Sequence, residues 1–221
     1  MAPLNHMLPA ALSMAKPHIN NPLHSPMPSP SAIVLASTSP YRRALLERLG
    51  LAFKVAKPGV DETPQPGEAP EALATRLARA KAMAVAADYP GALIIGSDQV
   101  AVLGDQVLGK PGNHENAVRQ LRQLSGRSAR FLTALCVHHS GSGRTLERLV
   151  PFEVTFRPLD EHTIETYLRR EQPYDCAASA KAEALGIALI ARMQGDDPNA
   201  LIGLPLIALV DLLQEHGVKV L

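Results

Sequence analysis

The sequence has little excess charge, few cysteines and no apolar run long enough to cross a bilayer. Its 221 residues carry a formal net charge of +1, so the overall balance gives no reason to expect binding to nucleic acid or to a membrane surface. Cys136 and Cys176 lie far apart without metal-type spacing, which favours reduced thiols and a cytoplasmic protein over a disulfide framework. The longest apolar stretch, 200–210, contains Gly203 and Pro205 and is too short for a membrane span. We therefore expect a soluble protein.

Common catalytic signatures are missing as well. The chain has no Gly-x-x-x-x-Gly-Lys-Ser/Thr sequence, which excludes a P-loop enzyme. It has no Gly-x-Ser-x-Gly elbow, and no nucleophile or metal-ligand spacing surrounds its histidines at 114, 138, 139, 162 and 216. Ordinary strand and surface histidines are the expected explanation. Any catalytic chemistry must come from other residues.

Residues 1–31 differ in composition from the rest of the chain. They hold seven prolines, three of the eight histidines and no acidic residue, and they show no sustained helical or strand period. This composition predicts a disordered extension, followed by a single domain over residues 32–221. The apolar piece at 7–15 is interrupted by Pro9 and follows no lysine or arginine, so it resembles neither a secretory signal nor a transit peptide.

From residue 32 onward, apolar runs alternate with amphipathic segments. Strands are predicted at 33–36, 53–56, 93–96, 100–103, 106–108, 129–138, 144–156 and 187–193. Helices are predicted at 40–49, 70–87, 113–124, 160–170 and 205–216. Because strands first alternate with helices and two long strands then follow one another, the pattern predicts an α/β fold with a mixed sheet.

The eight residues that begin at Ala36, Ala-Ser-Thr-Ser-Pro-Tyr-Arg-Arg, connect the first strand to the first helix. Ser39 is a good N-cap and Pro40 suits the first helical position, so Arg42 and Arg43 lie at the positive pole of the helix dipole. Two solvated arginines would be the ordinary explanation. The alternative is a polyanion site built from backbone N–H groups, hydroxyls and guanidinium groups.

Further charged residues occur where a fold normally has few charges. Asp98 follows the apolar run 93–96, and ligands bind at the carboxyl ends of strands in open α/β sheets; a cap or turn is the other explanation. Lys81 lies among alanines on a predicted helix, where its stem could equally cover the core. Lys110, held extended by Pro111 at a hairpin exit, could simply be solvated.

Together with Glu62 and Asp197, these groups suit phosphoryl chemistry. Cations neutralise phosphate oxygens, and carboxylates hold a divalent metal ion or activate water. Each residue alone is weak support for this interpretation, so its strength lies in the combination.

Six short motifs occur in the order found in the Maf nucleotide pyrophosphatases, and the chain resembles that family over about residues 32–216. The motifs are Ala-Ser-Thr-Ser-Pro-Tyr-Arg-Arg, Val60-Asp61-Glu62, Ala80-Lys81-Ala82, Gly96-Ser97-Asp98-Gln99, Gly109-Lys110-Pro111 and Gly203-Leu204-Pro205. Six motifs in the right order are far more specific than any one of them.

The resemblance implies a fold, a reaction and a cofactor. The fold would be a two-lobed mixed sheet flanked by helices, with a central cleft, related to inosine triphosphate pyrophosphatase. The reaction would convert a nucleoside triphosphate to its monophosphate and pyrophosphate with a divalent cation, Mg²⁺ or Mn²⁺. The partner would be a small-molecule nucleotide, with no nucleic acid and no membrane, and a homodimer is left open.

The resemblance also implies roles for individual residues. Asp98 would position or deprotonate the attacking water, and its role and that of Glu62 could be exchanged. Phosphate oxygens would be bound by Ser37, Arg42, Arg43, Lys81 and Lys110. The metal ion would be held by Glu62, Asp98 and Asp197.

Within the family, the Ser97-Asp98-Gln99 form, Tyr41 and Lys181-Ala182-Glu183 resemble the branch that acts on 7-methyl-GTP. Methylation at N7 gives guanine a positive charge, so Tyr41 could stack on the base and Glu183 could accept from guanine N1 and N2. Gln99 could contact another edge. The branch that acts on 7-methyl-GTP usually has tryptophan where this chain has Tyr41. The dTTP/UTP branch typically has threonine at the positions of Ser97 and Gln99.

Three other functions stay open at this stage. The chain could belong to the dTTP/UTP branch of the same family. It could be a nucleotide-binding regulator of septum formation, which would bind a nucleotide without cleaving it. A phosphomonoesterase would release inorganic phosphate, but the chain has no histidine or aspartyl nucleophile motif for that chemistry.

Overall fold

The computed structural model describes Pro30 and residues 32–221, so the predicted extension, apart from Pro30, lies outside the described residues. The strands of this part of the chain are β1 (Ile33–Ala36), β2 (Lys54–Ala56), β3 (Leu93–Leu103), β4 (Gln106–Leu108), β5 (Ser128–His139), β6 (Thr145–Phe156) and β7 (Ile190–Gln194). Its α-helices are α1 (Pro40–Glu47), α2 (Pro70–Ala84), α3 (His114–Leu124), α4 (Glu161–Glu171), α5 (Pro198–Ile202) and α6 (Leu206–Glu215).

The strands form one mixed sheet, as the sequence pattern predicts. Their order is β2-β1-β3-β5-β6-β7, and β4 pairs with β3 beside this path. β1 runs parallel to β2 and to β3, whereas the remaining pairs are antiparallel. The α/β fold class with a mixed sheet is confirmed.

β3 is longer than the sequence pattern predicts. The prediction ends a strand at Gly96 and starts another at Val100, but the structure has one continuous strand of 11 residues. The parallel pairing with β1 stops near Ile95, while β5 continues to pair with β3 as far as Val102. Asp98 therefore lies inside a strand, just beyond the end of its parallel neighbour, because β5 satisfies the backbone there.

The last predicted strand, 187–193, is displaced in the structure. The apolar run Leu185–Leu189 forms a 3₁₀ helix, and β7 begins only at Ile190. The caps predicted for α3 and α4 are confirmed, since Asn113 Oδ1 and Asp160 Oδ1 accept from backbone N–H groups three residues ahead, at 2.9 and 2.7 Å.

Side chains alternate between the two faces of β3. Ile94, Val100 and Val102 pack with α2 in one core cluster. On the other face, Leu93 and Ile95 pack with α1 and α6, whereas Ala101 and Leu103 pack with α3 and α4. The second face thus carries two separate cores, which form the two lobes. None of the helices in the described residues is both long enough and apolar enough to cross a membrane.

α2 lies very close to β3 at Gly96. A Cβ atom added to Gly96 would lie 2.2 Å from the carbonyl oxygen of Ala78 and 2.9 Å from the backbone nitrogen of Ala82. Both contacts are with backbone, which no side-chain rotation can relieve. Glycine at position 96 thus lets α2 approach β3 closely, which brings Lys81 of α2 near the strand.

We expect Gly96→Ala to destabilise the protein by about 1–3 kcal/mol, because the added methyl group would push α2 away from β3. Chemical denaturation would measure the change in the free energy of unfolding. Gly109→Ala is the matched control, since nothing lies within 4 Å of a Cβ at Gly109. Equal stability of the two variants would contradict the proposed close contact.

Candidate active site

A cleft of about 550 Å³ lies between the two lobes. Its walls come from the turn before α1, the loop before α2, the middle of β3, the loop after β4 and the segments around α5. Two further segments contribute to its lining: the lysine loop, residues 109–112, and the base-end loop, residues 175–183. Every residue of the Ser-Asp-Gln motif except Ser97 lines this cleft.

The turn before α1 is built as an anion-binding turn. Ser39 Oγ accepts from Arg42 N at 3.3 Å, and Ser37 Oγ accepts from Ser39 N at 3.1 Å. Pro40 occupies the first helical turn, which contains no acidic residue. The amino end of α1 therefore keeps its positive potential facing the cleft.

Arg42 is held at the cleft by a distant backbone carbonyl. Its Nε donates to the Gly203 oxygen at 2.8 Å, and Ser97 Oγ donates to the same oxygen at 2.9 Å. Burial lowers the pKa of Arg42, while the charges of Asp98 and Glu62 oppose this effect. The guanidinium group is thus oriented before any ligand arrives.

Arg43 does not line the cleft. Its side chain is exposed and its Nε contacts Glu47 Oε1 at 2.9 Å, one helical turn away. The two consecutive arginines point in different directions because neighbouring residues on a helix lie about 100° apart. The structure brings Arg42 into the site and leaves Arg43 on the surface.

Lys81 joins two carboxylates. Its ammonium group is buried and lies 2.5 Å from Asp98 Oδ1 and 2.5 Å from Glu62 Oε1. Lys81 is on the inner face of α2, four residues beyond Leu77, which places it over β3. Its charge compensates for the burial of Asp98, which would be costly without a partner.

Glu62 and Lys110 complete this end of the cleft. Burial raises the pKa of Glu62, but the hydrogen bond and charge of Lys81, with the charges of Lys110 and Arg42, outweigh it and lower the pKa overall. Lys110 is exposed on the lysine loop and lines the cleft. Within residues 32–221, no hydrogen bond or ion pair engages its ammonium group.

The two carboxylates suit a divalent cation that also binds phosphate. Among the described residues, no hydrogen bond reaches Asp98 Oδ2 or Glu62 Oε2, so each carboxylate keeps an oxygen that can accept a further ligand. The described residues contain no group of three or more His, Cys, Asp or Glu that could hold a metal ion by themselves. Mg²⁺ is typically bound through one or two carboxylates plus substrate phosphates, and this donor set fits that requirement.

Asp197 does not reach the cleft. Its Oδ1 accepts from Asn199 N at 2.9 Å and from Asn199 Nδ2 at 2.8 Å, and its Oδ2 accepts from Ile207 N at 2.8 Å. Both carboxylate oxygens therefore cap helices, α5 and α6, at their amino ends. The structure gives Asp197 a structural task and places it apart from Glu62 and Asp98.

Gln99 lines the cleft, but its amide nitrogen is already engaged. Gln99 Nε2 donates to the Ala200 oxygen at 2.8 Å and to the Leu201 oxygen at 3.0 Å, and it lies 3.0 Å from Thr133 Oγ1. These are carbonyls of α5. Gln99 thus attaches α5 to the sheet beside the cleft.

Tyr41 lines the cleft and faces Lys181 of the base-end loop. Lys181 Nζ lies 5.4 Å from the centre of the Tyr41 ring, within the range of a cation–π interaction. Lys181 also contacts Glu171 Oε1 at 3.0 Å, and this hydrogen bond raises its pKa. Burial is the main cause that raises the pKa of Tyr41. The ring therefore already binds a cation on its face.

Glu183 of the base-end loop adds a carboxylate to the lining of the cleft. Burial raises the pKa of Glu183, with the charges of Glu171 and Asp175 acting in the same direction and that of Lys181 against it. Tyr41 on α1 thus offers an aromatic ring, and the base-end loop offers a carboxylate that is easier to protonate than a free glutamate.

The sequence does not predict the part of the cleft around Cys176. Cys176 is half-buried and lines the cleft, and burial raises its pKa to about 12. Ala178 and Ser179 have positive φ values of 56° and 53°, although neither is glycine. Nothing in the local sequence reveals this, because the segment has no regular period. Both cysteines are free thiols, as predicted.

Comparison with known proteins identifies the family. A model of Maf-like proteins matches residues 32–216. A 7-methyl-GTP pyrophosphatase of Nitrosococcus oceani is 55% identical over 199 residues, which cover 90% of this chain and 100% of that protein. Proteins of the same name from Methylobacillus flagellatus and Nitrosospira multiformis are 59% and 58% identical, over 86% and 85% of this chain and 98% and 95% of their own lengths. This chain belongs to the Maf family.

Proposed function

We propose that the protein hydrolyses 7-methyl-GTP to 7-methyl-GMP and diphosphate in the cytoplasm, removing a modified nucleotide. The observation that carries the proposal is the arrangement of the cleft. One group of residues comprises the anion-binding turn and the Lys81 carboxylate pair, and a second group, around Lys181, contributes an aromatic ring and a carboxylate. The names of the similar proteins point to the same substrate.

The triphosphate binds at the end that carries the positive groups. Arg42 and Lys110 neutralise phosphate oxygens, and Ser37 with the backbone N–H groups of the turn donates to others. Arg42 is already oriented by Gly203, so little reorganisation is needed when the nucleotide binds. The exposed Arg43 contributes at most a long-range attraction.

Asp98 is the proposed catalytic residue. Its free Oδ2 positions or deprotonates the water that attacks the α-phosphorus, and diphosphate leaves on the opposite side. Lys81 fixes the orientation of Asp98 through Oδ1. Lys81 also contacts Glu62, so the two carboxylates lie beside the same ammonium group and their roles could be exchanged.

Nucleotide pyrophosphatases of this kind generally depend on a divalent metal ion. We propose Mg²⁺ or Mn²⁺, bound by the free oxygens of Glu62 and Asp98 together with the phosphates. When bound, the cation would neutralise charge on the phosphate oxygens. Asp197 is left out of this proposal because both of its oxygens cap helices.

The base lies at the Tyr41 end. The N7-methylated base is cationic, as is the Lys181 ammonium group that lies over Tyr41. The Tyr41 ring can therefore stabilise either cation. Glu183 accepts from the N1 and N2 edge of guanine. Gln99 supports this end through α5 and does not contact the base with its amide nitrogen.

We expect 7-methyl-GTP to be the best substrate in a panel with GTP, UTP and dTTP, and to give the monophosphate and pyrophosphate when Mg²⁺ or Mn²⁺ is present. Ion-exchange chromatography of the products would measure this. A preference for UTP or dTTP would retain the reaction and refute the assigned substrate. Saturable binding without turnover would favour a regulatory nucleotide-binding protein.

Asp98→Asn should lower kcat about 100-fold or more, because a neutral amide can neither accept the proton of water nor bind a cation strongly. Nucleotide binding, measured by isothermal titration calorimetry, should stay within a few-fold of the wild type. The matched control is Asp105→Asn in the exposed turn between β3 and β4. Equal activity of Asp98→Asn and wild type would refute the assignment.

Glu183→Gln should lower kcat/KM for 7-methyl-GTP about tenfold, the size expected for a lost hydrogen bond to a charged group, and should leave UTP turnover nearly unchanged. Steady-state kinetics with both nucleotides would measure the ratio. The control is Glu153→Gln, on the exposed face of β6.

Because burial raises the pKa of Glu183, the preference of the wild type for 7-methyl-GTP over UTP should fall as the pH is lowered. The preference of Glu183→Gln should not change with pH. A preference unaffected by Glu183→Gln would exclude its role in base recognition.

A further inference from the structure

A single side chain on α3 connects two loops that line the cleft. Gln120 Nε2 donates to the carbonyl oxygen of Gly109 at 2.9 Å, in the lysine loop. Gln120 Oε1 accepts from Ser179 Oγ at 2.6 Å, in the base-end loop. The orientation of the amide is fixed by chemistry, because a backbone carbonyl can only accept a hydrogen bond. One half-buried glutamine thus bridges the loop that carries Lys110 and the loop that carries Glu183.

A second residue of α3 supports the lysine loop. Asn116, one helical turn before Gln120, donates through Nδ2 to the Pro111 oxygen at 2.9 Å. Gly112 N donates to the Tyr174 oxygen at 3.0 Å, so the lysine loop also contacts the chain just before the base-end loop. Asn116 and Gln120 of α3 therefore hold the lysine loop, and Gln120 also holds the base-end loop.

The Ser179 end of the bridge lies in strained backbone. Ala178 and Ser179 both adopt left-handed φ values, 56° and 53°, which non-glycine residues adopt only where surrounding contacts maintain them. Both residues are fully buried. The hydrogen bond to Gln120 is one of the contacts that maintain this conformation, and through Gln120 the strained segment is connected to Gly109.

We propose that Gln120 is a positioning residue that couples recognition of the base to the placement of Lys110 on the phosphates. The proposal rests on the proposed function, because it assumes a nucleotide whose base and phosphates occupy the two ends of the cleft. Gln120 does not line the cleft and touches no reacting atom. It acts through Gly109, the neighbour of Lys110, and through Ser179.

The test compares kcat and KM of wild type and Gln120→Met with 7-methyl-GTP and with UTP. Methionine keeps the length of the side chain and removes both hydrogen bonds. We expect kcat/KM for 7-methyl-GTP to fall about tenfold, chiefly in kcat, because the bound base no longer improves the placement of Lys110. The base of UTP does not use Glu183, so kcat/KM for UTP should change less than about twofold. The discrimination ratio, which is kcat/KM for 7-methyl-GTP divided by kcat/KM for UTP, should therefore fall.

Gln123→Met is the matched control, since Gln123 is exposed on the same helix and its side chain forms no hydrogen bond with either loop. This control should behave as wild type. An equal loss of both substrates in Gln120→Met would show that Gln120 only supports the lysine loop and would overturn the coupling. An unchanged ratio with unchanged rates would overturn it as well.

Ser179→Ala removes the same link from the other end and leaves α3 intact. It should lower the discrimination ratio by a similar factor, and the double variant Gln120→Met with Ser179→Ala should be no worse than Gln120→Met alone. Additive losses would refute the coupling. If the wild type itself does not prefer 7-methyl-GTP, the proposed substrate fails, and the same comparison with its best and poorest nucleotides still decides the role of Gln120.

Discussion

The cleft depends on one buried ammonium group. Lys81 lies between α2 and β3 and contacts a carboxylate from the strand and another from the loop before the helix. An ammonium group in this position would be expensive without partners, and so would the buried carboxylate of Asp98. The pairing therefore fixes three segments relative to one another. Both carboxylate residues also line the cleft, where substrate chemistry can use them.

The alternation of β3 organises everything around that pair. Gly96 and Asp98 face α2, and the missing side chain of Gly96 lets the helix approach closely enough for Lys81 to reach Asp98. Ser97 and Gln99 face the other way and bind carbonyls of α5 and of Gly203, between the cores of the two lobes. The motif Gly-Ser-Asp-Gln is thus a strand segment in which each residue type has a separate physical reason.

Much of the fold could be predicted from local sequence, and the features that could not be predicted depend on contacts that the sequence does not show. The mixed sheet and the caps of α3 and α4 follow from hydrophobic periodicity and from side chains that bind backbone within three residues. The continuity of β3 could not be predicted, because the polar residues 96–99 resemble a strand end unless the pairing with β5 is known. Arg43 and Asp197 are similar cases. A charged residue resembles a ligand when only the sequence is known, because the sequence does not show that Glu47 contacts Arg43 or that two helix ends bind Asp197.

The carbonyl of Gly203 has a consequence for the order in which the protein can become functional. Arg42 leaves the ribosome early, but the acceptor that orients its guanidinium group lies 161 residues later in the chain. The two segments that flank this contact belong to opposite ends of the domain. A nascent chain therefore displays the anion-binding turn long before it can hold Arg42 in place. Nucleotide cleavage is in this way reserved for molecules whose synthesis is nearly complete, and fragments that end before α5 lack an oriented phosphate site.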